Sequence, residues 1–187
     1  MDPQDTERFR DFVDVRWSAL LRLANLLTGG DRHEAEDLVQ IALMKALGRW
    51  RHIEDPEGYV RKVMYRHQVS RWRLRRPHRE ATFAVPPENF GAADGTSAAD
   101  LRITVGQALA RLTPRQRTVL VLRYFEDLSE TEVASALGCS VGTVRSTTHR
   151  SLARLRRLAP ELGPAAPVAE EPARTEPTGK AMKGART

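Results

Sequence analysis

The chain has 187 residues, with 30 Lys and Arg against 24 Asp and Glu, a formal net charge of +6 at pH 7 and a pI near 10.1. That length fits one ordinary domain or two small ones, and the basic balance points to an anionic partner, nucleic acid or an acidic lipid surface. One cysteine excludes an internal disulfide, no apolar run approaches the roughly 18 residues of a membrane-spanning helix, and the N-terminal MDPQDTERFRDF lacks the basic and apolar stretches of a secretory signal, so a cytoplasmic location without membrane insertion is expected.

From about Arg8, apolar residues at Phe9, Phe12, Val13, Leu20, Leu21, Leu23, Ala24 and Leu27 recur at helical spacing, and Thr28-Gly29-Gly30 ends that helix. Asp31 followed by Glu34 resembles a capping box, in which Asp31 accepts from an amide and Glu34 reaches back. The next helix is expected to run through Trp50. Its stretch from Leu38 to Leu47 is apolar nearly all round, as in a helix buried in its own domain, covered by another protein, or both. Asp55-Pro56 starts a third helix, with Pro56 at the first position, where its missing amide hydrogen costs nothing; this helix continues to about Arg76.

That third helix carries RKVMYRHQVSRWRLRR, residues 61–76, where Arg and Lys alternate with Tyr65 and Trp72 and no acid intervenes. Aromatics among cations suit stacking on unpaired bases together with phosphate contact. An alternative is that Val60, Val63, Met64 and Val69 form a core side and the aromatics only flank it.

Periodicity then stops. Pro86-Pro87, Gly91-Ala92-Ala93 and Asp94-Gly95-Thr96-Ser97 read as a flexible linker over residues 77–99. A second helical block spans 100–159. Thr113-Pro114-Arg115-Gln116 and Ser129-Glu130-Thr131-Glu132 are both capping boxes. Beyond Pro160 the tail to residue 187 is Pro, Ala, Glu, Thr, Gly and Lys with almost no large apolar side chain, a composition expected to stay disordered.

Within the second block, Ser129 starts a short helix with apolar Val133, Ala134 and Leu137, Gly138 closes it, and Ser140 caps the next. On that next helix Val141, Val144, Thr148, Leu152, Leu155 and Leu158 form one stripe, while Gly142, Ser146, His149, Arg150, Ala153 and Arg157 form another. No acid appears from Val133 to Pro160. Two short helices joined by a tight Gly-containing turn form a helix-turn-helix, whose second helix enters the major groove. Gly142 and Thr143 permit close approach, Ser146 and His149 reach base edges, and Arg145, Arg150 and Arg154 neutralise phosphates, where a carboxylate would repel the backbone. An amphipathic helix with a merely solvated basic face is the alternative. Cys139 in the turn reads as a small, half-buried filler. The expected fold class is all-α: two small helical domains, 1–76 and 100–159, joined by a flexible linker, a clamp whose combined affinity for two spaced sites exceeds either alone.

EAEDLVQIALMKAL with PEGYVRKVMYRHQVSRWRLRR, followed after the linker by LTPRQRTVLVLRYFEDLSETEVASALGCSVGTVRSTTHRSLARLRRL, resembles the extracytoplasmic-function (ECF) sigma factors of bacterial RNA polymerase, and within them the actinobacterial SigE family. The resemblance runs from about Phe9 to Leu158. It implies that the first block is region 2, which docks on the clamp helices of the β′ subunit and melts the minus-ten element, and that the second is region 4, which binds the minus-thirty-five element and the β-flap. Glu36, Asp37, Leu38, Val39 and Gln40 then match the clamp-binding helix. Tyr59 to Trp72 match the minus-ten-reading helix, which makes Tyr59, Arg61, Lys62, Tyr65, Arg66, Arg71 and Trp72, with Arg73, Arg75 and Arg76 beyond, the candidate contacts. Ser140 to Arg154 match the recognition helix: Ser140, Gly142, Thr143, Arg145, Ser146, His149, Arg150 and Arg154. Departures from the family pattern are Ile41 in place of Glu, Arg66 in place of Asn and Arg71 in place of Trp. Implied partners are core RNA polymerase, promoter DNA and an anti-sigma factor.

Two other classes compete with this reading. A dimeric helix-turn-helix repressor or activator explains the second block alone and leaves the basic-aromatic and over-apolar helices of the first unexplained. HEAED, residues 33–37, suggests a metal site, but the zinc-hydrolase spacing needs His where Asp37 stands, and no phosphate loop, nucleophile elbow or paired-cysteine motif appears. No catalytic residue, metal or cofactor is expected.

Overall fold

A computed structural model describes residues 2–74 and 97–160. Most of the expected linker, Arg75, Arg76 and the tail beyond Pro160 lie outside the described residues. Within them, every regular element is helical: α1 (Pro3–Thr28), α2 (Arg32–Leu47), a 3-10 turn (Trp50–His52), α3 (Pro56–Leu74), α4 (Ser97–Ala110), α5 (Pro114–Tyr124), α6 (Glu130–Leu137) and α7 (Val141–Leu158). None of the described helices is long and apolar enough to cross a membrane.

Helix α1 begins earlier than its apolar pattern. Asp2 caps it by accepting from the Gln4 amide at 2.9 Å, and Pro3 holds the first position. Arg51, from the 3-10 turn, pairs with both Asp2 and Asp5, and Trp50 meets Phe9 edge to face at 5.0 Å. Helix α2 therefore stops at Leu47 rather than Trp50: the chain turns at Gly48 so that the Trp50 ring can close the end of the α1–α2 pair. Asp31 accepts from the Glu34 amide at 2.9 Å, while the Glu34 carboxylate accepts from Arg71 on α3 at 2.7 Å. Both capping boxes of the second block form in full, Thr113 with Gln116 and Ser129 with Glu132.

The two blocks do not stand apart. Leu20 and Leu27 of α1, Leu38 of α2 and Met64 of α3 belong to one continuous buried cluster with Leu109 of α4, Leu122 of α5, Leu137 of α6 and Val144 of α7. Helix α5 packs on α1 and α3, and α6 packs on α3. Arg117 pins the seam. Its side chain is 7% exposed, with Nε donating to Leu27 O at 3.0 Å and Nη1 to Leu109 O and Ala110 O at 3.4 and 3.2 Å. These carbonyls close the C-terminal ends of α1 and α4, where a cation is favoured. Gly29 makes room for it: φ is +79°, and a Cβ there would sit 2.7 Å from the Arg117 Cζ.

Candidate nucleic-acid interface

The helix-turn-helix is built by its caps. The amide of Cys139 donates back to Ala134 O at 3.0 Å, Gly138 turns the chain at φ +62°, and Ser140 Oγ accepts from the Thr143 amide at 3.1 Å. Cys139 is half-buried against the core, as a small filler would be. On α7 the buried stripe is Val144, Thr147, Thr148 and Ser151, with Val141, Leu152, Leu155 and Leu158 packed at its margin. Thr147 and Ser151 were not expected inside. Ser151 Oγ donates to Thr147 O at 2.6 Å, which satisfies its hydroxyl within the helix and lets a polar residue face the core.

The opposite face of α7 is open: Gly142, Arg145, Ser146, His149, Arg150, Ala153, Arg156 and Arg157 are all exposed. Thr143 and Arg154 are half-buried. Arg145 pairs with Glu130 at 2.9 Å, Arg150 Nε donates to Ser146 O at 3.1 Å, and Arg154 donates to Arg111 O at 3.3 Å, so these cations are held close to α7 rather than splayed. The structure thus brings seven of the eight candidate recognition residues onto or beside one exposed helical face; Ser140 stands at its N-terminus as the cap.

Helix α3 divides differently. Lys62, Arg66 and Ser70 form its exposed stripe, while Val60, Met64 and Val69 form its core side. Arg61, Tyr65, Gln68 and Trp72 make a third stripe at helical spacing, and the second block covers it. Glu126, in the turn between α5 and α6 with a side chain only 9% exposed, accepts through one oxygen from Arg61 Nη1 and from the Tyr65 hydroxyl. Arg115 lies 5.3 Å over the Trp72 ring, and Trp72 shares a small cleft with Leu137, Cys139 and Thr143. Burial, with the hydrogen bond to Glu126, pushes the Tyr65 phenol far above its ordinary value. For Arg61 burial opposes the charge, but Glu126 and Glu57 together outweigh it and raise the guanidinium. Tyr65 is 5% exposed, so it is a packing residue in this arrangement, and Tyr59 is half-buried. Arg71 is held by Glu34. Arg73 lies on α3, its side chain outside the described set.

On α2, Leu38 and Val39 are core residues, 1% and 0% exposed, which corrects the expectation that they face a partner. Their role is to seat α2 so that Asp37 and Gln40 point outward. Glu36 is half-buried and pairs with Arg32 at 2.9 Å. The outward edge also carries Met44, 72% exposed, and Leu47; the all-round apolar character of α2 is therefore only partly used by its own core.

Residues 102–155, the end of α4 with α5, α6 and α7, match the family described as Sigma-70, region 4. The chain is 42% identical over 151 residues to the RNA polymerase sigma-E factor of Streptomyces coelicolor, covering 79% of this chain and 84% of that one. The chain belongs to the ECF sigma factors of RNA polymerase. Another relative is the ECF RNA polymerase sigma factor SigL of Mycobacterium tuberculosis, 32% identical over 166 residues, with 82% of this chain and 90% of that one covered. Among solved structures, the sigma factor RpoE of Bartonella quintana, crystallised in complex with the anti-sigma factor NepR, matches with a TM-score of 0.51 and 26% identity over 81% of this chain and 96% of that one.

As a sigma factor, the protein directs promoter-specific initiation by core RNA polymerase. Its region 4, the part that recognises the minus-thirty-five element, is the helix-turn-helix whose open face has just been described. Residues that sequence reasoning passed over are Arg115, Arg117 and Glu126. Each is a single charged side chain in a helix or turn whose partner lies far away in sequence, so no local pattern marks it.

Proposed function

We propose that this sigma factor divides its work among three helices. Helix α7 enters the major groove at the minus-thirty-five element, with Gly142 and Thr143 at closest approach, Ser146 and His149 at base edges, and Arg145, Arg150 and Arg154 at phosphates. The observation that carries this is the exposed, acid-free face of α7, rigidly capped by Ser140. Arg145 must exchange Glu130 for a phosphate on binding, and the surrounding Arg residues favour that exchange electrostatically.

In the same reading the first block, 1–76, is region 2. Asp37 and Gln40, with Met44 beside them, dock on the clamp helices of β′, and the second block meets the β-flap. Once the second block no longer covers them, Arg61, Tyr65 and Trp72 of helix α3 take up the unstacked bases of the minus-ten element, with Lys62, Arg66 and the basic end of the helix on the backbone. Unpairing a few base pairs costs several kcal/mol, offset by stacking of about 1 to 3 kcal/mol per captured base. The chain performs no chemistry of its own in this scheme, acts in the cytoplasm beside the polymerase, and has an anti-sigma factor as a further partner, as the similar RpoE does.

The test is run-off transcription from a genomic-fragment library with core polymerase, with and without the protein. New start sites sharing two spaced upstream motifs support the reading. Arg150→Glu should abolish promoter binding by the holoenzyme while leaving polymerase binding intact; unchanged transcription by that variant rejects the assignment of α7.

A further inference from the structure

Glycine inside a helix is less favourable than alanine, so a helical glycine calls for a physical reason. Gly138 holds a left-handed turn at φ +62°. Gly58 leaves room for its cap, since a Cβ there would collide with the Asp55 carboxylate. Gly142, in the first turn of α7, has neither reason. Its φ is not positive, and beyond its own neighbours a Cβ would meet only Ser140 Oγ, at 4.0 Å. Nothing in the described part of the protein needs the missing atom. The position lies on the exposed face that region 4 turns to DNA.

The hydroxyls around Gly142 are already engaged. Ser140 Oγ accepts from the Thr143 amide at 3.1 Å and lies 2.8 Å from the Thr143 hydroxyl, so the two side chains pair with each other. One turn along, Ser146 Oγ donates to Thr143 O at 3.2 Å. Thr143 is left with its methyl to offer, and Val141, on the other side of the glycine, is half-buried. Gly142 therefore opens a notch one methyl wide whose rim is poor in spare hydrogen-bonding groups. In the major groove one base feature matches such a notch: the 5-methyl group of thymine, which is read by apolar contact, with a Thr methyl among its usual partners.

We propose that Gly142 makes region 4 selective for a thymine in the minus-thirty-five element. When α7 enters the groove, the thymine 5-methyl occupies the space that a Cβ would fill, against the Thr143 methyl. Cytosine, with hydrogen at that carbon, leaves the notch empty. An alanine side chain and the thymine methyl compete for one volume. The inference rests on the placement of α7 given under Proposed function and adds which base its first turn selects.

The test uses holoenzyme made with the full chain, wild type or Gly142→Ala, and duplexes carrying the minus-thirty-five element of a start site found in the run-off assay. Each thymine of that element, on either strand, is replaced singly by deoxyuridine, which removes the methyl and keeps the pairing edge. Wild-type affinity, measured by fluorescence anisotropy, should fall about fourfold at one position, the effect of one buried methyl, and hold at the others. Gly142→Ala should bind the unmodified duplex about tenfold more weakly, as overpacking does, and recover most of that loss on the one duplex whose uracil frees the space. Its thermal midpoint should not fall, because the added Cβ makes no close contact within the protein. A wild type indifferent to every uracil overturns the proposal. So does a Gly142→Ala defect that no uracil relieves, which would make the glycine a point of backbone approach only. Arg150→Glu separates this inference from the reading beneath it. If promoter binding survives that change, α7 does not read the element and the notch falls with it; if binding is lost while every uracil is tolerated, the notch alone is removed.

Discussion

The Arg117 guanidinium donates to the Leu27 carbonyl at 3.0 Å, joining residues 90 apart in sequence and tying the second helical block to the end of α1. Burial pushes Arg117 down to about 10, with the Glu34 charge opposing, so it is still a cation at neutral pH. Arg117→Met fills the volume but leaves three carbonyls short of a donor, and should destabilise the protein by roughly 2 to 4 kcal/mol. Gly29→Ala strains a left-handed residue by about 1 to 2 kcal/mol and also collides with the guanidinium. Urea unfolding of both single variants and the double should give less than the sum, because the collision disappears with the Arg side chain.

Helix α2 separates stability from binding. Leu38→Ala should cost about 2 to 5 kcal/mol in chemical denaturation, since it empties a buried site. Asp37→Lys, one residue away but exposed, should change stability by less than about 0.5 kcal/mol. The same variant should weaken association with core polymerase, measured by surface plasmon resonance. An Asp37→Lys variant that binds polymerase as well as the wild type would remove α2 from the docking surface.

The recognition helix depends on its cap. Ser140→Ala removes the acceptor of the Thr143 amide, and the 2.8 Å contact with the Thr143 hydroxyl goes with it. A loss of about 1 kcal/mol is expected, read as a lower thermal midpoint. Hydrogen exchange should quicken at the amides of the first turn of α7 and leave α2 unaffected.

His67, on α3, is held below its ordinary value of 6.5, first by burial and then by the nearby charges of Arg71 and Lys45. The unfolded chain therefore takes up this proton before the folded one does. The associated stability is present in full above about pH 6.5 and is lost as the pH falls through the lowered folded value. His67→Gln should lose less stability than the wild type between about pH 7.5 and about pH 5.5, a range in which ordinary carboxylates stay ionised. Equal losses in paired urea titrations would show that His67 is not the group responsible.

Much of this was legible locally. Thr113, Ser129 and Ser140 announce three helix starts because a cap is a contact within three residues, and Gly138 announces the turn because only its left-handed conformation closes α6 without strain. The acid-free run after Glu132, together with the 3.6-residue period, is enough to place Ser146, His149 and Arg150 on an open basic face. What the period could not foresee was Thr147 and Ser151 inside, since polarity argues for exposure until the hydroxyl finds a carbonyl in its own helix. Nor did apolar patterning find the start of α1, which Asp2 and Pro3 set well before Phe9, the first residue of the pattern.

The sequence by itself thus determined an all-helical chain with a helix-turn-helix, its caps and its basic face, because each depends on neighbours within about one or two turns. Only the tertiary structure decided that Arg117 caps α1, that Leu38 and Val39 are core, and that Glu126 closes on Arg61 and Tyr65. Those outcomes depend on which helices meet across tens of residues, and a side chain of given charge or size carries no record of its distant partner until packing brings the two together.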